Sequence, residues 1–316
     1  MPQRIVSLIS SATEILYAIG LGDRVLAVSH ECDYPDAVRK KPRVTFSHIG
    51  ADQPSQVIDS QVKQLVSRGD PLYGVDADLL AQLKPDLIVT QAQCDVCAVR
   101  YEDVVATVES FEALRGTPIV SLNPLSLDEI LVDIRRIGEA TGAEQSADQF
   151  VGSLERRIGN VVKKTSSLSQ SERPRVACIE WIEPVMFAAN WIPRLIEMAG
   201  GKDGLSESGH HSEYGDWKTL VEYDPEIIIV MPCGFNLART LEEANILRSF
   251  ANWSSLSAVK SERVFAVDGN AYFNRSGPRI VDSLEILAHL FHPQFLKVPD
   301  SVRVPKAVWQ RLLHNR

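Results

Sequence analysis

The chain has 316 residues, a length that suits about two domains. With 45% hydrophobic and 23% charged residues its composition is that of an ordinary globular protein. A net charge of −8 with no basic cluster argues against a nucleic-acid partner, and no apolar run approaches the roughly 18 residues of a membrane span.

Ile5–Ile9 reads as a first strand, followed by a helix from Thr13 to Ile19 and a turn at Gly20-Leu21-Gly22. Val25–Val28 is the next strand and leads into the polar loop Ser29–Tyr34. Ser55–Ser67 carries apolar residues at helical spacing, and a helix over Asp76–Leu83 precedes a short buried strand over Lys84–Thr90. A helix is expected over Cys94–Leu114, then a strand over Pro118–Leu122. Strands separated by helices imply βα units and a mainly parallel sheet.

The stretch from Ser126 to Gln170 has no proline and reads as helix, with a break at Thr141-Gly142. Ser126-Leu127-Asp128-Glu129 has the spacing of a capping box. Beyond the break a second helix within about residues 143–168 puts Phe150, Val151, Leu154, Ile158, Val161 and Val162 on one stripe. At 1.5 Å per residue it would run roughly 35 Å, the width of a small domain.

After this helix the early pattern returns. Arg175–Glu180 matches the opening strand, Trp191–Ala199 before Gly200-Gly201 matches the helix that ends at Gly20, and Trp217–Glu222 before Asp224-Pro225-Glu226-Ile227 matches Leu79–Leu83 before Lys84-Pro85-Asp86-Leu87. A strand at Val264–Val267 and a helix at Arg279–Phe291 close the chain. The expected fold is α/β, with two Rossmann-like lobes of mainly parallel sheet joined by one long rigid helix. The expected division is an N-terminal lobe over 1–142, a connecting helix over 143–170 and a C-terminal lobe with its tail over 171–316. Two such lobes leave a cleft, a favoured place for ligands.

Arg4-Ile5-Val6-Ser7-Leu8 with Thr13-Glu14-Ile15-Leu16, Cys32-Asp33-Tyr34-Pro35, Leu83-Lys84-Pro85-Asp86-Leu87-Ile88, Gly200-Gly201 and Phe273-Asn274-Arg275-Ser276-Gly277-Pro278-Arg279-Ile280 occur here in order. In that order and spacing the chain resembles the substrate-binding proteins of ABC importers for cobalamin, haem and iron–siderophores, most of all the cobalamin binders. The resemblance covers nearly the whole chain. It implies a ligand gripped between the lobes with little hinge motion, and no catalysis.

Loops after the C-terminal ends of the strands should line that cleft. They supply His30, Glu31, Cys32, Tyr34, Gln93, Cys94, Trp181, Trp191, His210, His211, Tyr214, Phe235, Tyr272 and Phe273 as candidate ligand contacts. Trp181, Trp191, Tyr272 and Phe273 would offer apolar faces to a large flat ligand. His211 is the first candidate for an axial metal ligand, with His210 and His30 behind it. Cys94-Asp95-Val96-Cys97 stands at a strand end and an expected helix start; it can be structural, a metal site with Cys32 or a histidine, or redox-active.

Cobalamin is therefore the expected ligand, bound by a monomer. A haem or iron–siderophore binder of the same fold, and a cofactor-processing or redox protein using Cys94 and Cys97, are the alternatives. The resemblance also implies one acidic docking residue on each lobe for the importer's permease. Those positions fall near Asp78 and Lys218, and the reversed charge of Lys218, with Glu222 nearby, argues against such docking. The first strand follows Met1 closely, with no export signal ahead of it, and the five cysteines show no evident pairing. Both point to a cytoplasmic protein, or to a periplasmic one if the N-terminus is truncated.

Overall fold

The computed structural model describes residues 1–50, 52–92, 96, 98–294 and 309–312. The first half comprises β1 (Ile5–Ser7), α1 (Ser10–Ala18), β2 (Val25–Val28), β3 (Thr45–Ser47), α2 (Ser55–Arg68), β4 (Tyr73–Val75), α3 (Ala77–Leu83), β5 (Leu87–Gln91), α4 (Tyr101–Ser110), β6 (Ile119–Leu122) and α5 (Leu127–Thr141). Then come α6 (Glu144–Thr165), β7 (Arg175–Trp181), β8 (Met186–Phe187), α7 (Ile192–Met198), β9 (Lys202–Asp203), β10 (Glu213–Tyr214) and α8 (Trp217–Tyr223). The chain finishes with β11 (Ile227–Val230), α9 (Leu237–Glu243), α10 (Ser257–Lys260), β12 (Val264–Val267), a π turn at Gly269–Phe273, α11 (Ile280–Phe291) and β13 (Trp309–Arg311).

Each half builds its own sheet. In the N-terminal lobe the order is β2-β1-β5-β6, all parallel. In the C-terminal lobe β9-β7-β11-β12 repeat that arrangement, also parallel, with β8, β10 and β13 added antiparallel. The α/β fold of two lobes is thus present, and among the described residues no sheet runs across both. One expected helix is shorter than its sequence suggested. Arg100 is extended at the N-cap, so α4 starts at Tyr101, and its C-cap Phe111 is extended as well.

The repeat extends to the bonds that fold each unit. Arg4 at the start of β1 donates its guanidinium to the carbonyls of Leu83 and Lys84 at the end of α3. Arg175 at the start of β7 does the same to Tyr223 and Asp224 at the end of α8. Both helices end in a left-handed residue, Lys84 (φ 43°) and Asp224 (φ 46°), and a proline follows each. Cations at these carbonyls satisfy groups that a helix end leaves open.

Ser126 and Glu129 form the capping box of α5, which stops at Gly142 with φ 66°. Glycine takes this left-handed conformation without Cβ strain, and α6 begins after it. Arg135 of α5 holds Asp148 and Glu155 of α6, each at 3.1 Å. Further along, Arg157 of α6 holds Glu285 at 2.6 Å and Asp282, both on α11. One helix is therefore pinned to both lobes.

A single buried cluster joins Ile5, Leu16 and Ile134 of the first lobe to Val151 and Leu154 of α6 and to Leu195 and Leu287 of the second. Each lobe also has its own cluster on the far face of its sheet. A shared core resists hinge bending, because separating the lobes would expose close-packed apolar surface.

Candidate functional site

Segments that follow the C-terminal ends of β1, β2 and β12 bring the two lobes together through charge, at the floor of the cleft between them. Arg275 reaches Glu14 at 3.1 Å and Asp33 at 2.5 Å, and it donates to the carbonyl of Glu31 at 3.3 Å. Arg279 donates to both carboxylate oxygens of Glu14, at 2.9 and 2.6 Å. Glu14 is 3% exposed and Arg275 5%, so water screens these pairs little. Burial alone would raise Asp33, but Arg275 and Arg279 outweigh it and hold the carboxyl below its ordinary value. The Arg279 guanidinium also lies 4.4 Å from the ring centre of Tyr34 and 5.3 Å from that of Tyr272.

The loop that carries these arginines is fixed from below. Asp268 accepts from the backbone of Ala271 at 2.8 Å, capping the π turn, and Asn274 donates its side-chain amide to Met231 O at 2.8 Å. Ser283 on α11 donates to Tyr272 O at 2.6 Å.

Across the mouth lies α2, carried between the paired strands β3 and β4. The backbone amide of Ser55 and its hydroxyl donate to Glu243 Oε1 of the other lobe, at 2.7 and 2.6 Å. Tyr214 donates its hydroxyl to Asp59 at 2.5 Å, and Lys63 pairs with the other oxygen of Asp59 at 2.8 Å. Arg239 donates to Gln53 O and stacks 3.8 Å over Phe235. The face that α2 presents to the C-terminal lobe is thus polar.

The expected lining residues divide. Trp181 and Tyr272 are partly exposed, and Glu31, Tyr34 and Tyr214 are exposed. His30 is partly buried, its Nδ1 2.7 Å from Thr45 Oγ1 and its Nε2 3.4 Å from Glu31, with burial lowering its pKa. His210 and His211 are exposed on their loop.

Others lie in the core and have no face to offer a ligand. Cys32 is 1% exposed against Thr13 Oγ1 at 3.1 Å, and burial pushes its thiol up to about 11. Trp191 gives its indole N–H to Phe273 O at 2.9 Å, and Phe273 is fully buried. Phe235 is buried against Trp181 at 5.4 Å. These residues support the wall from behind, because their apolar side chains fill the space between sheet and helices.

Gln93, Cys94 and Cys97 lie outside the described residues. Among the described residues no group of three or more His, Cys, Asp or Glu side chains is placed to hold a metal ion. Of the residues that join the lobes, Tyr214 was expected at the site, whereas Glu14, Asp33, Asp59, Glu243, Arg275 and Arg279 were not foreseen as site residues. A signal existed for Glu14: it is a charge inside the apolar helix pattern of α1, where only a paired carboxylate is tolerated.

A cavity of about 420 Å³ lined by Arg173, Arg175, Lys202, Tyr223 and Glu226 lies at the N-terminal end of β7. Trp181 marks the opposite end of that strand, roughly 20 Å away, so the cavity is separate from the cleft.

The model of the periplasmic binding protein family matches residues 5–271. An ABC transporter substrate-binding lipoprotein of Bacillus subtilis is 27% identical over 302 residues, covering 94% of this chain and 82% of the relative. A vitamin B12-binding protein of Yersinia pestis is 24% identical, covering 88% and 82%. The crystal structure of a periplasmic haem-binding protein from Pseudomonas aeruginosa shares the fold with a TM-score of 0.70 at 17% identity, covering 93% of this chain and 94% of that one. The lipoprotein relative overturns the expectation of a cytoplasmic protein. The cysteines do not rescue it: Cys32 and Cys178 are free and buried, and a buried thiol needs no reducing compartment to stay unpaired. With the family model spanning both lobes, the chain belongs to the periplasmic binding protein family.

Proposed function

We propose that this chain is the non-catalytic substrate-binding component of an ABC importer, working outside the cytoplasmic membrane, and that its inter-lobe cleft takes a cobalamin or a related corrinoid. The observation that carries the ligand reading is the state of the cations around the cleft. Lys63, Arg275 and Arg279 are engaged by carboxylates of the protein, Arg239 and Arg43 by backbone carbonyls. A haem brings two propionates that need unspent cations. A corrin carries uncharged amides around its rim, and aromatic faces at Trp181, Tyr34 and Tyr272 suit its flat apolar surface. The vitamin B12-binding relative from Yersinia pestis supports the same choice.

Haem is the second reading, favoured by the exposed His211 and Tyr214 as axial-ligand types. A permease would meet Asp78 on α3. At the equivalent place on α8, Lys218 sits 3.6 Å from Glu222, which leaves Glu222 as the acidic docking candidate of that lobe.

The test is titration of the purified protein with hydroxocobalamin and with haemin, followed by visible absorption and calorimetry. One hydroxocobalamin per chain at micromolar affinity or better is expected, unchanged chemically on release. No corrinoid binding, or haemin bound more tightly, would sink the reading.

A further inference from the structure

Glu180, the next-to-last residue of β7, is a carboxyl with no counter-ion among the described residues. Its Oε2 accepts from Ser212 Oγ at 2.6 Å, and Ser212 is held in turn by the amide of Ala189 at 2.9 Å. Among the described residues no lysine, arginine or histidine pairs with it. Protein crowds the group and raises its pKa by desolvation, with the Ser212 bond opposing only in part. Yet the residue still touches solvent.

Two loops place Glu180 beside the contacts between the lobes. The Ser212 loop continues to Tyr214, which reaches Asp59 of the other lobe. The loop after β11 gives the Cys233 amide to Glu180 O at 3.1 Å and continues through Phe235 to Arg239, which reaches Gln53 of the other lobe. Glu180 therefore stands in the C-terminal wall, between the segments that close the mouth. Two polar atoms on adjoining segments are buried without a partner: Asn190 Oδ1, on the segment bonded to the Ser212 loop through His210 O at 2.7 Å, and Trp181 Nε1, next along the strand. Unsatisfied buried polar atoms are costly and call for a partner that brings both a donor and an acceptor.

We propose that Glu180 is the polar anchor of the cleft and binds an uncharged carboxamide on the rim of the ligand. This rests on the corrinoid reading and names the part of the ligand that is recognised. A primary amide offers a carbonyl to a carboxyl O–H or to Trp181 Nε1–H, and an NH₂ to Asn190 Oδ1. A ligand carboxylate at the same place would face a carboxyl with no cation nearby, and such pairs do not both ionise in a desolvated site. The wall thus selects for amide and against acid.

The experiment is calorimetric titration of wild type, Glu180→Gln and Glu180→Ala with hydroxocobalamin and with each of its monocarboxylic acids, in which one rim amide is hydrolysed. Wild type should bind at least one of the acids about tenfold or more weakly than hydroxocobalamin. Glu180→Gln, which can still accept from Ser212, should bind hydroxocobalamin within about threefold of wild type and lose the discrimination; Glu180→Ala should weaken it by about tenfold or more. Equal binding of all the acids by wild type, or the same discrimination in Glu180→Gln, overturns the proposal while leaving the corrinoid reading intact. Wild type that binds no corrinoid overturns both.

Discussion

The two lobes are one scaffold used twice and finished differently. Both run their parallel strands in the same order, and both staple the first strand to a helix end with an arginine, Arg4 or Arg175. They diverge where chain has been added. From β1 the N-terminal lobe reaches α1 across Leu8 and Ile9 alone, and it spends its extra length on α2 between β3 and β4. The C-terminal lobe does the reverse: residues 182–191 separate β7 from α7 and carry β8, with β10 beside it. The two additions meet at the mouth, where Tyr214 on β10 bonds Asp59 on α2. The repeat supplies the frame, and the additions supply bonds that cross the mouth.

The lobes are most unequal at the floor, where the N-terminal lobe gives the carboxylates and the C-terminal lobe both arginines. Glu14→Ala breaks that division at its centre. It leaves two guanidiniums facing each other with Asp33 as the remaining partner, and should cost about 3–5 kcal/mol of stability in urea unfolding. Replacing the group together, with Glu14→Leu, Arg275→Met and Arg279→Met, should recover most of the loss, because the one charge left without its partners, Asp33, keeps 37% of its side chain exposed to water. A triple variant as weak as Glu14→Ala would show that packing rather than charge was lost. The sign of the pH dependence follows from Asp33. Its folded pKa lies below the unfolded one, so its contribution is present above about pH 4 and is lost as pH falls through the folded value.

Much of this scaffold can be read from sequence because it is local. The capping box at Ser126, the glycine at 142 and the strand–helix alternation all act through neighbours in the chain. The repeated Lys84-Pro85 and Asp224-Pro225 steps are legible for the same reason. The site is less so, because its bonds join residues far apart: Arg275 meets Glu14 across 261 positions and Tyr214 meets Asp59 across 155. Loop position alone does not separate Trp181, which keeps an exposed edge, from Trp191, whose indole is committed to Phe273 O. Periodicity cannot tell a lining aromatic from a supporting one when both follow strand ends.

A second contrast concerns desolvated acids, one in each lobe. Asp133 on α5 and Asp203 on β9 are both pushed up to about 6 by desolvation. Asp203 accepts from the Leu205 amide at 2.8 Å, whereas Asp133 Oδ2 is buried without a partner. A raised folded pKa means that the native state binds the proton more tightly, so stability is greatest below the unfolded value and falls as pH rises through about 6. Asp133→Asn should therefore stabilise the protein at pH 7 by about 1–2 kcal/mol, a part of what a shift of this size implies, and change little at pH 4. Asp203→Asn should gain less, because its backbone donors bond the charged oxygens well. Thermal unfolding at both pH values reads the difference; equal gains from the two would remove the distinction drawn between the lobes.

The smallest effect belongs to the place where the two additions meet. Tyr214→Phe removes one hydroxyl and leaves the ring, with Lys63 still 2.8 Å from Asp59 and 4.4 Å from the ring centre. Tyr214 is half exposed, so water can replace the lost bond at Asp59, and global stability should fall by about 0.5–1 kcal/mol at most. The local consequence should be larger than the global one. The clasp holds α2 through a few polar bonds and little buried apolar surface, so opening it does not require unfolding the shared core. Amide exchange in α2 should quicken in Tyr214→Phe, and more so in Glu243→Ala, which removes the acceptor of both Ser55 bonds, while α5 and α6 keep their protection. Exchange in α2 that is unchanged in both variants would mean that the strap is held by its own hairpin, and that the contacts across the mouth follow lobe closure rather than maintain it.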